Sequence, residues 1–183
     1  MKEKVTHTCP WWFCRVFDNI TRTWYQNPQQ IMSPYVKSGF KILDAGPGFG
    51  YFTRPLASLV LPDGIVFALD IQSKMLEVLK EISENQGHTN IIPHLYDGEK
   101  FCIQEQFDFV NMFWMFHEVS NKDNFLKELI KVCKTRCKVL FAEPYIHVSK
   151  RMFNKSVQLF QDNGFKIVHE IKINFSRAIL FEI

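Results

Sequence analysis

The chain has 183 residues, 46% of them hydrophobic and 22% charged, with a formal net charge of +3. That length suits one domain able to bury roughly 70% of its unfolded surface, which excludes a fibrous repeat, a disordered tail and a disulfide mini-protein. Five cysteines are an odd number for a disulfide framework, the basic residues form no block, and no apolar run reaches the roughly 18 residues of a membrane span.

The opening Met1-Lys2-Glu3-Lys4 leads into no apolar signal core, so a cytoplasmic location is expected. Residues 1–38 hold Trp11, Trp12 and Trp24, three of the four tryptophans, with the turn formers Asn27-Pro28 and Ser33-Pro34 and no clean strand. They read as an aromatic cap segment, followed by a main domain over 39–183.

From Lys41 onward short apolar runs alternate with amphipathic segments, the pattern of a mostly parallel sheet covered by helices. A strand over Lys41–Ala45 is followed by a glycine-rich turn and a helix from about Tyr51 to Leu61. A second strand, Ile65–Leu69, ends at Asp70. Ser73 can cap a helix to about Glu84, with Met75, Leu76, Leu79 and Ile82 on one face and Gly87 as its stop. Strands follow at about Ile91–Tyr96 and Phe107–Trp114. Asn121 or Asp123 can cap a helix carrying Phe125, Leu126, Leu129, Ile130 and Cys133. A fifth strand covers Lys138–Ala142, and a last helix starts at Ser149 and closes at Gly164. Two strands, about Phe165–Ile171 and Arg177–Ile183, are joined by a short turn at Asn174. So short a link makes a hairpin, hence one antiparallel strand.

Chemistry concentrates in Asp44-Ala45-Gly46-Pro47-Gly48-Phe49-Gly50, between the first strand and the first helix. Glycines there let backbone approach a ligand, and the helix start offers free N–H groups. Asp70, at the end of the next strand, can accept hydrogen bonds from both hydroxyls of a ribose. A dinucleotide loop, as in an NAD-dependent oxidoreductase, wants its third glycine at position 51, which is Tyr51.

With glycines at 46, 48 and 50, Asp44 before them, Asp70, the Asp108-Phe109-Val110 strand opening and the final hairpin, the chain resembles the class I S-adenosylmethionine-dependent methyltransferases from about Lys41 to its end. The resemblance implies an α/β, three-layer Rossmann-like fold with a seven-stranded, mostly parallel sheet of order 3-2-1-4-5-7-6, strand 7 antiparallel. It implies S-adenosyl-L-methionine as cofactor. Gly46, Gly48 and Gly50 would make room for its methionine and ribose portions. Asp44 would lie near its amino group or order the loop. Asp70 would bind the ribose, with Ile71 against the adenine. Asp97 and the backbone of Gly98 are candidates for the adenine amino group, with a plain turn as the equal alternative. A non-catalytic cofactor-binding protein is the reading outside enzymes.

In such a sheet ligands bind beyond the carboxyl ends of the strands, near the switch in strand order. That brings together Asn111 to Glu118, after the fourth strand, and Glu143 to His147, after the fifth. If the methyl acceptor carries a proton, His117 is the first candidate base, because imidazole titrates near neutrality; Glu118, Glu143 and His147 come next. The competing reading makes His117-Glu118 a loop cap and His147 a surface residue. A metal held by His117, Glu118 or Glu143, and His147 lacks any tight ligand spacing, and none is expected.

The fourth strand has neither the Asn/Asp-Pro-Pro-Tyr/Phe pattern of base-nitrogen enzymes nor a Pro-Cys nucleophile. A small-molecule acceptor is therefore expected, and nucleic acid is not. The cluster Cys9-Pro10-Trp11-Trp12-Phe13-Cys14, then Phe17, Trp24 and Tyr25, would form a lid over the cofactor mouth, cover the sheet edge, or make a homodimer contact. Cys9 and Cys14 are not spaced as a zinc pair, and Cys133 and Cys137 read as buried small apolar residues.

Overall fold

The computed structural model describes residues 20–183. The Trp11–Cys14 cluster, Phe17 and Cys9 therefore lie outside the described residues. Seven strands form one sheet: β1 (Lys41–Ala45), β2 (Ile65–Asp70), β3 (Ile91–Leu95), β4 (Phe107–Phe113), β5 (Cys133–Pro144), β6 (Lys166–Ile173) and β7 (Ser176–Glu182). Their order is β3-β2-β1-β4-β5-β7-β6. Neighbouring pairs run parallel except β7, which is antiparallel to both β5 and β6. Among the described residues the α-helices are α1 (Pro28–Met32), α2 (Thr53–Leu59), α3 (Ser73–Asn85), α4 (Lys122–Val132) and α5 (Lys150–Asp162).

Side-chain alternation along the strands builds the two cores. Ile42, Phe109, Leu140 and Leu180 face one side, where Met32, Leu56, Ala57 and Val60 cover them. Their chain neighbours Leu43, Val110, Phe141 and Phe181 face the other, under Phe125, Leu129, Phe153 and Phe160. Most of the abundant phenylalanine fills this second core; Phe160 stacks on Phe181 at 4.7 Å and Phe141 on Phe153 at 5.2 Å.

The local signals are mostly as expected, with four differences. Asn27-Pro28 starts a helix instead of a turn: Asn27 accepts from the Gln30 amide at 3.2 Å, and Pro28 takes the first helical position, where its missing N–H is no loss. Ser73 is the first residue of α3, not its cap; Gln72 occupies the cap position, and the Asp70 carboxylate accepts the Gln72 amide at 2.9 Å. Helix α2 begins at Thr53, because residues up to Phe52 belong to the turn of the glycine loop. Strand β5 starts five residues earlier than the pattern suggests, at Cys133, with Arg136 in left-handed backbone (φ 65) at an irregularity opposite Phe107–Phe109. Asn121 caps α4, Ser149 caps α5, and Cys133 and Cys137 are buried.

Candidate active site

The carboxyl ends of β1, β2, β4 and β5 lie along one edge of the sheet, and the order switches between β1 and β4. At that switch Asp44 of β1 sits opposite Asn111 of β4, both 1% exposed. The Asp44 carboxylate accepts from Thr53 Oγ1 at 2.6 Å and from Asn111 Nδ2 at 2.7 Å. Burial pushes the Asp44 pKa up to about 6 against those two donors. Asp44 thus ties Thr53, the first residue of α2, to Asn111 within β4. Asn111 Oδ1 is left buried with no hydrogen-bond partner.

Asp70 closes β2. Burial lifts its pKa to about 6; the Gln72 and Ile71 amides oppose this, and the nearby charges of Glu118 and Asp44 add to it. Three carboxylates therefore feel one another's charge at this end of the sheet. With the unpaired Asn111 Oδ1 beside them, they suit a ligand rich in donors and positive charge, such as ribose hydroxyls, an ammonium and a sulfonium. A pyrophosphate would meet like charge there. Gly46 takes φ 68, and a Cβ on it would meet Met115 Cβ at 2.5 Å, so only glycine lets the loop pass beneath that side chain. Ile71 is 36% exposed and reaches Gly98, where its Cδ1 would lie 3.8 Å from an added Cβ. Asp97 is exposed, and its Oδ1 accepts the Glu99 and Lys100 amides, each at 2.7 Å; this is the turn alternative in geometric form.

On the other side of the switch, Glu143 of β5 is 1% exposed. It accepts the His117 amide at 2.8 Å and the His117 Nδ1 at 2.6 Å. With Nδ1–H donated to Glu143, Nε2 is the free nitrogen, 3.8 Å from a Glu118 oxygen. Burial alone would lower the His117 pKa; the Glu143 hydrogen bond and charge, with the Glu118 charge, outweigh it and leave the pKa above its ordinary value. His147 stacks on His117 with ring centres 6.1 Å apart. Lys122 donates to the Val119 carbonyl at 2.7 Å and to the His117 carbonyl at 3.4 Å, holding the short turn Phe116–Glu118 from behind. The structure thus brings His117, Glu118, Glu143 and His147 together, and separately Asp44, Asp70 and the glycine loop.

Sequence reasoning gave no role to Thr53, Met115 or the side chain of Asn111. The last left a signal: an amide between the apolar Val110 and Met112 of a central strand is costly to bury unless something there uses it. Among the described residues no group of three His, Cys, Asp or Glu side chains could hold a metal, and no helix is long and apolar enough to cross a membrane.

The profile of a methyltransferase-domain family matches residues 36–174. The ubiquinone/menaquinone biosynthesis C-methyltransferase of Pasteurella multocida is 27% identical over 148 residues, covering 78% of this chain and 54% of that protein. Its Neisseria meningitidis counterpart is 34% identical over 106 residues, covering 57% of this chain and 42% of that protein. The chain spans about half the length of these relatives. A crystal structure of an S-adenosylmethionine-dependent methyltransferase from Aquifex aeolicus shares the fold, with TM-score 0.86, 21% identity and coverage of 96% of this chain and 100% of that one. The donor-seeking cleft, the glycine loop, the strand order and the family match agree: the chain belongs to the class I S-adenosylmethionine-dependent methyltransferases, with S-adenosylmethionine as its cofactor.

Proposed function

We propose that the protein methylates a small molecule at the mouth between the ends of β4 and β5, with His117 removing the acceptor's proton. The observation that carries this reading is the two-point grip of buried Glu143 on His117, at the amide and at Nδ1. S-adenosylmethionine, when bound, supplies an electrophilic methyl group for in-line displacement. Gly46, Gly48, Gly50, Asp70, Ile71 and Gly98 would hold it, with Asn111 Oδ1 and Asp44 as nearby acceptors for its cationic groups.

The remaining work falls to the chain itself. Glu143 fixes the imidazole tautomer so that Nε2 carries the lone pair and can accept a proton. Once protonated, the ring is stabilised by the Glu143 carboxylate and by Glu118. Buried Phe116 anchors the segment that carries His117, packed on Phe125, Phe141 and Phe160. An acceptor whose methylated atom must shed a proton fits this apparatus. The relatives' names specify methylation at carbon, which has that requirement when the carbon belongs to an electron-rich ring.

Calorimetric titration with S-adenosylmethionine, S-adenosylhomocysteine and NAD tests the cofactor; binding of NAD alone would overturn the site. Transfer of a labelled methyl group to a panel of phenols and quinols tests the chemistry. His117→Ala should lower turnover by roughly 10²–10⁴-fold with cofactor affinity retained. Full turnover in that variant would remove His117 from the mechanism, and cofactor binding without transfer to any acceptor would favour a binding protein.

A further inference from the structure

Arg22 lies ahead of the sheet yet is 8% exposed. Its guanidinium carbon sits 4.4 Å from the centre of the Tyr51 ring and 4.6 Å from that of Trp114. Phe113 and Phe52 lie at 5.5 and 5.6 Å. A charge removed from water by four rings is held by their faces and by hydrogen bonds. The polar contacts close a circuit around the same residues. Arg22 Nε donates to Gln26 Oε1 at 3.0 Å. Gln26 Nε2 donates to Ser176 Oγ at 3.3 Å, and Trp114 Nε1 donates to that same oxygen at 2.8 Å. The Tyr51 hydroxyl donates to the Gln26 carbonyl at 2.7 Å. Gln26, fully buried, is the hub.

The two main rings are not ordinary wall residues. Tyr51 directly follows Gly50, the last glycine of the cofactor loop. Trp114 directly follows β4 in left-handed backbone (φ 61), a conformation that a bulky residue holds only when its surroundings impose it. The next residue, Met115, packs on Gly46, and His117 comes two places later.

We propose that Arg22 is a positioning residue for the cofactor site: it clamps Tyr51 to Trp114 and so holds the glycine loop and the 114–118 segment at their working separation. The guanidinium touches neither cofactor nor acceptor in this role. Its effect passes through Trp114 to Met115 over Gly46, and through Tyr51 to the loop itself. The proposal rests on reading 44–50 and Asp70 as the cofactor site.

The test is a double-mutant cycle on the affinity for S-adenosylhomocysteine, measured by calorimetry on the full chain with Asp70→Ala as control. Arg22→Met keeps the length and apolar stem while removing the charge and the Gln26 bond. It should weaken binding about tenfold, and Arg22→Lys, which keeps a charge over the rings, should recover part of the loss. Trp114→Leu should weaken binding similarly, and the double variant should be little worse than either single one, because both break one contact. Simple multiplication of the two losses, or Arg22→Met binding within about twofold of wild type while Asp70→Ala loses affinity, would overturn the proposal. Unchanged affinity in Asp70→Ala would instead strike the reading of the site. If Arg22→Met shows no cooperative melt, Arg22→Gln, which also removes the charge, replaces it in the cycle with Trp114→Leu under the same criteria. Loss of affinity with no recovery by lysine and no coupling to Trp114 would reduce Arg22 to a stabilising residue and overturn its positioning role.

Discussion

The two halves of the cleft bury carboxylates in opposite ways. At the ends of β1 and β2, Asp44 and Asp70 are held by neutral donors, an alcohol, an amide and backbone N–H groups, and their pKa values rise to about 6. At the ends of β4 and β5, Glu143 is held by an imidazole, and the pKa of the histidine rises. The first half is an acceptor surface short of positive charge, which a cationic ligand completes. The second is already paired internally, imidazole against carboxylate. The two groups of residues sit on different strand ends, and each can be perturbed alone.

The largest expected effect is on the first half. Asp70→Asn should weaken S-adenosylhomocysteine binding by about ten- to a hundredfold, the worth of hydrogen bonds to a charged acceptor, while the His117 titration seen by NMR stays put. A loss of less than twofold would mean that the ribose lies elsewhere. The matching break in the second half is Glu143→Gln. With the carboxylate gone, burial dominates, so the His117 pKa should fall below its ordinary value, and the melt should lose about 2 kcal/mol with cofactor affinity nearly intact. A His117 pKa that stays raised would show that Glu118, not Glu143, sets it.

A smaller effect sharpens the comparison through pH. Asp44 and Asp70 hold protons more tightly in the folded state than their ordinary value of 3.8, so the native state binds more protons between that value and about 6. The stability they contribute is full below 3.8 and is lost as pH rises through about 6. The raised His117 acts in the same direction, its contribution being full below 6.5 and lost as pH climbs through the raised value. The ligand-free protein should therefore melt higher at pH 5 than at pH 7.5, with a shallower gain in Asp70→Asn. Cofactor affinity should run the other way and fall as pH drops below about 6, because a protonated Asp70 is a poorer acceptor. Parallel slopes for the wild type and Asp70→Asn would sink the assignment. The smallest effect is reserved for Asp97→Ala: Asp97 serves its own turn, so affinity should stay within about twofold of wild type. A larger loss would restore it as an adenine ligand.

Most of the fold was legible because each strand is a short apolar run between turn formers, and the glycine spacing at 46, 48 and 50 fixes the kind of cleft. Asp44, Asp70, His117 and Glu143 were legible as polar residues at strand ends. What escaped depends on contacts distant in sequence. Nothing in the sequence singles out Arg22, because the four rings that close over it come from two other segments. Cys133 reads as a helix end because the pairing that makes it strand, to Phe107, lies far away in sequence. Asn27-Pro28 reads as a turn former, yet the same dipeptide also opens helices, and the residues downstream of the proline decide between them.

The contact between Gly46 and Met115 has a consequence for changing this protein. A Cβ at 46 would lie 2.5 Å from Met115 Cβ, which no rotamer can move, so position 46 is frozen as long as any side chain occupies 115 in this backbone. The two positions form a single unit of variation although 69 places separate them in the chain. A library that randomises the glycine loop alone will return glycine at 46, whatever ligand it is selected for; only one that also frees the backbone at 114 and 115 can reshape the cleft.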